Sequence, residues 1–285
     1  MDIPQLLQML NKDLADEHAA ILRYLIHSYL EGEDTPIGAK LLSRAREEMW
    51  HMHWLGMIIG AHGGEPNMTP ADYPHDPSSR ESIFKSYVAY EKNLVPHYEK
   101  EAEMVDDPHI KRVLLREAWE SEMHAEKFQK MIDKLSPEEA AGLPGEKNEL
   151  SESLVKKLQE SVAVKYQQML QTLRDAWVFQ AEGVDAWQRM DFSMTKMKQL
   201  AHSAEEVAEN GIAPDFTSGA MDLRDSFTAV LDKAVADLQA SRDMHAALKA
   251  DTEAQEHGGL ISNLDLTLRQ EQYEMEELAD RQKKK

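Results

Sequence analysis

Apolar residues recur at helical spacing along almost the whole chain, and no segment sustains the alternation of a β-strand. Such a chain must bury helix against helix, so the expected fold class is all-α. The first helix is expected from Pro4 to about Glu31, with the stripe Leu7, Leu10, Leu14, Glu17, Ile21 and Leu25. Thr35-Pro36 opens a second, which stops near Gly63-Gly64. Ser78 with Glu81 reads as the capping box of a third, whose stripe is Ile83, Tyr87, Glu91, Leu94 and Tyr98. Asp107-Pro108 starts a fourth, with Leu114, Ser121, His124 and Phe128 along one side. Two short connections and one long, proline-rich crossover predict a four-helix bundle over residues 1–135. A looser stretch, residues 136–152, links it to a second helical bundle over 153–285.

The second half echoes the first. "EPNMT" at Glu65–Thr69 returns as "APDFT" at Ala213–Thr217, and the same offset lays Leu10 on Leu158 and Leu14 on Val162. "RESIF" from Arg80 matches "RDSFT" from Arg224 at a slightly different offset. In these registers the apolar stripe survives, but Glu17 becomes Lys165, Glu48 becomes Lys196, His51 becomes Gln199 and Glu91 becomes Val235. Two tandem bundles are expected, with the inward polar residues of the first missing from the second. The two lysines, placed in a core, would need carboxylate partners, and Glu271 and Glu274 on the last helix are the candidates.

Those inward polar residues carry the chemistry. "REEMWHM" sets Glu48 three residues before His51, so both side chains reach one side of a helix. E-x-x-H alone is common on exposed surfaces. Glu17, Glu91 and His124 join it on core stripes, and uncompensated buried carboxylates cost more than a bundle tolerates. A pair of dications would neutralise them. Other polar residues are assigned elsewhere: Glu47 as flanking, His53 at the surface, His18 facing away from Glu17, His62 in a helix's last turn. His97 is placed at the surface beside a Pro96 kink. The 16 methionines read as core filler and the "RQKKK" tail as a frayed terminus.

Composition narrows the partners. The formal charge is -20, from 52 acidic and 32 basic residues, which disfavours nucleic acid and anionic membranes. With no cysteine, disulfides, thiolate zinc sites and iron–sulfur clusters are excluded. The start is unlike a signal peptide and no apolar run spans a bilayer, so a cytoplasmic protein is expected.

"ADEHAAILRYL", "REEMWHM" and "ESEMHAEKF" resemble the ligand segments of the ferritin-like superfamily of dinuclear metal carboxylate proteins. The resemblance covers the first four helices, and the second half in degenerate form. It implies that Glu17 and His51 hold one metal, Glu91 and His124 the other, and that Glu48 bridges them. It also implies two iron or two manganese ions, or one of each, since oxygen and imidazole ligands suit these metals. The usual glutamate three residues before the last histidine is replaced by Ser121, which leaves that side expected to be open to solvent. Glu117 and Glu120 are candidates to complete the site. A single E-x-x-H with a lone histidine is similar to the manganese catalase branch, and the "H-A-x-x-F" ending to rubrerythrin-like members. Tyr24, Tyr87, Tyr90 and Glu120 are candidates to orient the histidines. The implied function is an oxidoreductase using dioxygen or hydrogen peroxide, with or without a small organic substrate, alone or as a homo-oligomer. The alternative is a non-catalytic iron-handling protein that works by ferroxidation and storage.

Overall fold

The computed structural model describes residues 1–143 and 150–283, with the backbone alone at 184–186. The described residues are all helix, turn and loop, in two compact units, Met1–Gly145 and Glu146–Lys285. Of the expected linker, residues 144–149 lie outside the described residues. Among the described residues, no helix is long and apolar enough to cross a membrane.

The first unit contains α1 (Ile3–Glu31), α2 (Pro36–Ala61), α3 (Arg80–Met104), α4 (Pro108–Ile132) and the short α5 (Pro137–Ala141). Each long helix starts where a side-chain oxygen accepts from an otherwise orphaned backbone N–H. Asp2 caps α1 in a capping box with Gln5, Thr35 caps α2 just before Pro36, and Asp107 caps α4 just before Pro108. The third cap corrects the sequence reading. Ser79, not Ser78, caps α3 by accepting from the Ser82 N–H, and the Ser78 N–H is taken up by Asp76. The Asp76 side chain out-competes the expected box by closing a local turn one residue earlier.

α1 packs along α2, and α3 along α4. The α1–α2 turn is tight enough that a Cβ on Gly38 would lie 2.0 Å from the Gly32 carbonyl oxygen, so only glycine fits there. The long α2–α3 connection is pinned to α1 by an amide clamp. Asn11 donates to the Glu65 carbonyl (3.1 Å) and accepts from the Asn67 N–H (2.6 Å).

The second unit contains α6 (Glu152–Val178), α7 (Val184–Glu209), α8 (Phe227–Lys249) and α9 (Gly258–Gln282). α9 keeps Arg281 and Gln282 in regular helix, so the tail is not frayed there; Lys284 and Lys285 lie outside the described residues. The long α7–α8 connection carries the same clamp. Gln159 donates to the Ala213 carbonyl (3.0 Å) and accepts from the Asp215 N–H (2.7 Å). Arg80 bridges to Glu31 in the first unit, and Arg224 bridges to Asp175 in the second.

Candidate metal centre

All four long helices of the first unit send acid or imidazole groups into its core. Glu17 comes from α1, Glu48 and His51 from α2, Glu91 from α3, and Glu117, Ser121 and His124 from α4, and all are buried. These are the positions that the 3.6-residue period turns inward.

Two ligand-like groups meet at this centre, Glu17–Glu48–His51 and Glu48–Glu91–His124, and a third, Asp13–Asp16–His97, forms on α1 and α3. In each, one oxygen or nitrogen per residue lies within 4.8 Å of the others. Glu48 belongs to the first two. Its two oxygens approach the two histidines, Oε2 at 2.8 Å from His51 Nδ1 and Oε1 at 2.7 Å from His124 Nδ1. Glu17 Oε2 lies 3.3 Å from His51 Nδ1, and Glu91 Oε1 3.5 Å from His124 Nδ1. The two rings stack 6.1 Å apart at 18°.

The outer nitrogens of both rings face carboxylates. His51 Nε2 lies 2.7 Å from Glu120 and His124 Nε2 2.6 Å from Glu47. If each Nε2 carries the proton and donates it outward, each Nδ1 lone pair points at Glu48. Arg116 holds Glu120 from outside at 2.9 Å and stacks its guanidinium 4.3 Å over Trp54. Arg44 and Lys127 hold Glu47. On the far side, Tyr24 donates to Glu91 (2.6 Å) and Tyr98 donates to Glu17.

Donor chemistry tests whether the set suits a cation. Glu91 Oε2, both Glu117 oxygens and Ser121 Oγ are buried and make no hydrogen bond. Buried oxygens left without hydrogen-bond partners beside such a cluster fit cation ligands, because buried polar groups otherwise find partners. The set contains oxygen and imidazole donors only, which suits iron or manganese.

Protonation tells the same story. Burial raises Glu17 to about 7 against the opposing His51 charge, and raises Glu91 and, most strongly, Glu117. Burial would raise Glu48 too, but the His124 and His51 charges outweigh it and hold it well below the usual range. Burial would lower both histidines, yet Glu17 and Glu48 raise His51, and Glu48 with Glu47 raises His124. Metal-free, the cluster balances itself by keeping imidazolium protons that a metal must displace. Metal binding at neutral pH should therefore release the Nδ1 protons of His51 and His124, and affinity should rise with pH. Calorimetry in buffers of different ionisation enthalpy reads this directly, and binding without proton release would contradict it.

Several sequence readings need correction. Glu47 is no bystander: its carboxylate takes His124 Nε2, a reach made possible by its place one residue before Glu48 on α2. Of the two places considered for Glu120, it takes the one outside His51 and not the one between the two groups. Ser121 does not open the site, because it is buried one turn after a buried Glu117 that fills the same side. Of the proposed orienting tyrosines, Tyr24 touches Glu91, Tyr87 touches His27 and Tyr90 touches the Asp16 backbone, while Tyr98 went unrecognised. His97 is half-buried, not a surface group: its Nε2 lies 2.9 Å from Asp13 and 3.2 Å from Glu101. Burial raises Asp13 to about 7 and Glu101 to about 8. His53 is half-buried, and His18 is fully buried, with burial lowering it to about 3. His62 does sit at the end of α2, 2.8 Å from the Ile58 carbonyl.

The second unit places lysines in its core. Lys165 reaches Glu271 and Lys196 reaches Glu274, with Ser241 donating to Glu271 at 2.6 Å. Burial lowers Lys196 to about 8 against the pull of Glu274. Burial would raise Glu271, but the His245 hydrogen bond and the Lys165 charge hold it down at about 2. Gln199 is buried, whereas Val235 is half-buried and Ala234 beside it takes the core position. Among the described residues this core forms no metal-ligand group.

A four-helix bundle that gathers glutamates and histidines at its centre has the architecture of the dinuclear carboxylate proteins. Residues 7–137 match the family model of the ferritin-like domain. The first unit is a ferritin-like domain. No curated protein and no solved structure matches the chain.

Proposed function

We propose that the first bundle holds a pair of iron or manganese ions and serves as an oxidoreductase centre for dioxygen or hydrogen peroxide. The observation that carries this is Glu48, one carboxylate shared by two ligand groups, with each of its oxygens turned to a different histidine. Glu17 and His51 would hold one ion, Glu91 and His124 the other, and Glu48 would bridge. Bound there, such a pair supplies two-electron exchange with an oxygen species. The chain does the rest. Glu120 and Glu47 fix the ring orientations through Nε2. Tyr24 and Tyr98 hold one oxygen each of Glu91 and Glu17. Glu117 lies buried beside the cluster with no hydrogen bond of its own, a group able to hold a proton there.

We infer that the second bundle is a copy in which lysine–glutamate pairs replace the ligands. The matching amide clamps at Asn11 and Gln159 support this. The test of function is elemental analysis of the purified chain followed by parallel assays. Turnover of hydrogen peroxide to dioxygen, or dioxygen consumption with an organic reductant, is expected. Iron(II) oxidation with mineral accumulation and no other turnover would favour the storage reading instead.

A further inference from the structure

In so acidic a chain, cations should be few and spread out, yet one groove of about 460 Å³ collects five. Lys40 and Arg44 from α2, and Lys127, Lys130 and Lys134 from the end of α4 and the residues after it, line it around Met131, with no acidic residue among the lining groups. Lys130 and Lys134 near the end of α4 suit the negative end of that helix. Lys40 and Arg44 have no such explanation, because they lie beyond the first turn of α2 and far from its C-terminal end. Lys127 and Arg44 share Glu47, and Lys130 pairs with an exposed Glu126. Lys40 and Lys134 form no ion pair among the described residues. Helix-end chemistry thus explains only part of the set, whereas an external anion explains all of it. A cleft lined by one sign of charge concentrates the opposite ion.

We propose that this groove binds a small organic anion carrying a carboxylate or phosphate, with its apolar body against Met131 and the lysine stems. The volume is in the range of small-molecule sites. The groove reaches the centre through one carboxylate. Glu47 is held by Arg44 and Lys127 on one side and takes His124 Nε2 at 2.6 Å on the other. An anion that draws on Arg44 and Lys127 changes the hold on the group that orients His124. The binding itself goes beyond the metal reading and does not depend on it.

The experiment titrates the full chain with phenyl phosphate and, separately, isophthalate, by calorimetry at constant ionic strength, both metal-loaded and chelator-treated. Saturable binding of at least one probe is expected in both forms, and which probe binds identifies phosphate or carboxylate as the preferred group. The exposed pair Lys40→Gln with Lys134→Gln should weaken it by about tenfold or more, since a cleft of one charge sign raises the local concentration of the opposite ion by at least that factor. Lys85→Gln, on α3 and paired with Glu81, should leave it unchanged. Absence of saturation with both probes, or undiminished binding in the double variant, overturns the proposal. In the chelator-treated chain the ring ¹⁵N shifts of His124 should move as the site fills. Binding without that movement overturns the link through Glu47. Because binding is read without metal, its failure and the failure of the metal reading are separable.

Discussion

Glu48→Ala is expected to lose both metal ions, not one. Its two oxygens face different histidines, so it is the only carboxylate common to the two groups. Removing it leaves Glu17 with His51, and Glu91 with His124, as two separate two-residue remnants. It also leaves two raised histidines without the anion that balances them. The expected readout is near-zero metal by elemental analysis, with the helical far-ultraviolet spectrum retained. Glu120→Gln should by contrast keep the metals and weaken them about 10–100-fold, the usual effect of losing an orienting partner. Full metal occupancy in Glu48→Ala would remove the bridging assignment.

Glu271→Ala should cost about 3–5 kcal/mol of stability, the range for leaving one partner of a buried ion pair uncompensated. Lys165 and Glu271 are both fully buried, and the same carboxylate also takes Ser241 and faces His245 at 3.1 Å. The pH sign follows from the lysine. Burial already lowers Lys165, and without Glu271 its folded-state pKa falls further below the unfolded value. The unfolded chain then binds more protons, so the penalty should deepen as pH falls through the lysine range, and shrink in acid, where wild type loses the stability tied to its lowered Glu271 carboxyl. Denaturant unfolding of wild type and variant at two pH values measures this. Metal content should not change. A loss near zero would mean that the cluster plays no part in holding the second bundle.

The fold was legible because its rule is periodic. Helical spacing turned Glu17, Glu48, His51, Glu91 and His124 inward together with the leucines, and the same stripes put Lys165 and Lys196 inside the second unit. Capping residues marked two of the four helix starts in the first unit, left the Asp2 cap of α1 unnamed, and missed α3 by one position because the competing Asp76 turn involves atoms that a pattern does not show. What stayed hidden was reach. Glu47 lies off the core stripe, and only its side-chain length and the ring orientation bring it to the outer nitrogen of His124. Tyr98 stood on the predicted stripe, but an inward tyrosine does not say which carboxylate its hydroxyl meets. His97 looked peripheral beside Pro96, although Asp13 sits across from it on α1, a pairing that spans two helices. The basic groove is likewise a product of packing, since its residues are far apart in sequence and mixed with acids in each helix.

The most direct test of the central claim is anomalous diffraction from crystals of the full chain, collected across the iron and manganese edges after purification without chelators. Two peaks are expected in the first bundle, flanking Glu48 with one toward His51 and one toward His124, and none beside Lys165 and Lys196. A first bundle that stays without peaks after reconstitution with iron(II) and manganese(II), or a peak in the second bundle, would contradict the account.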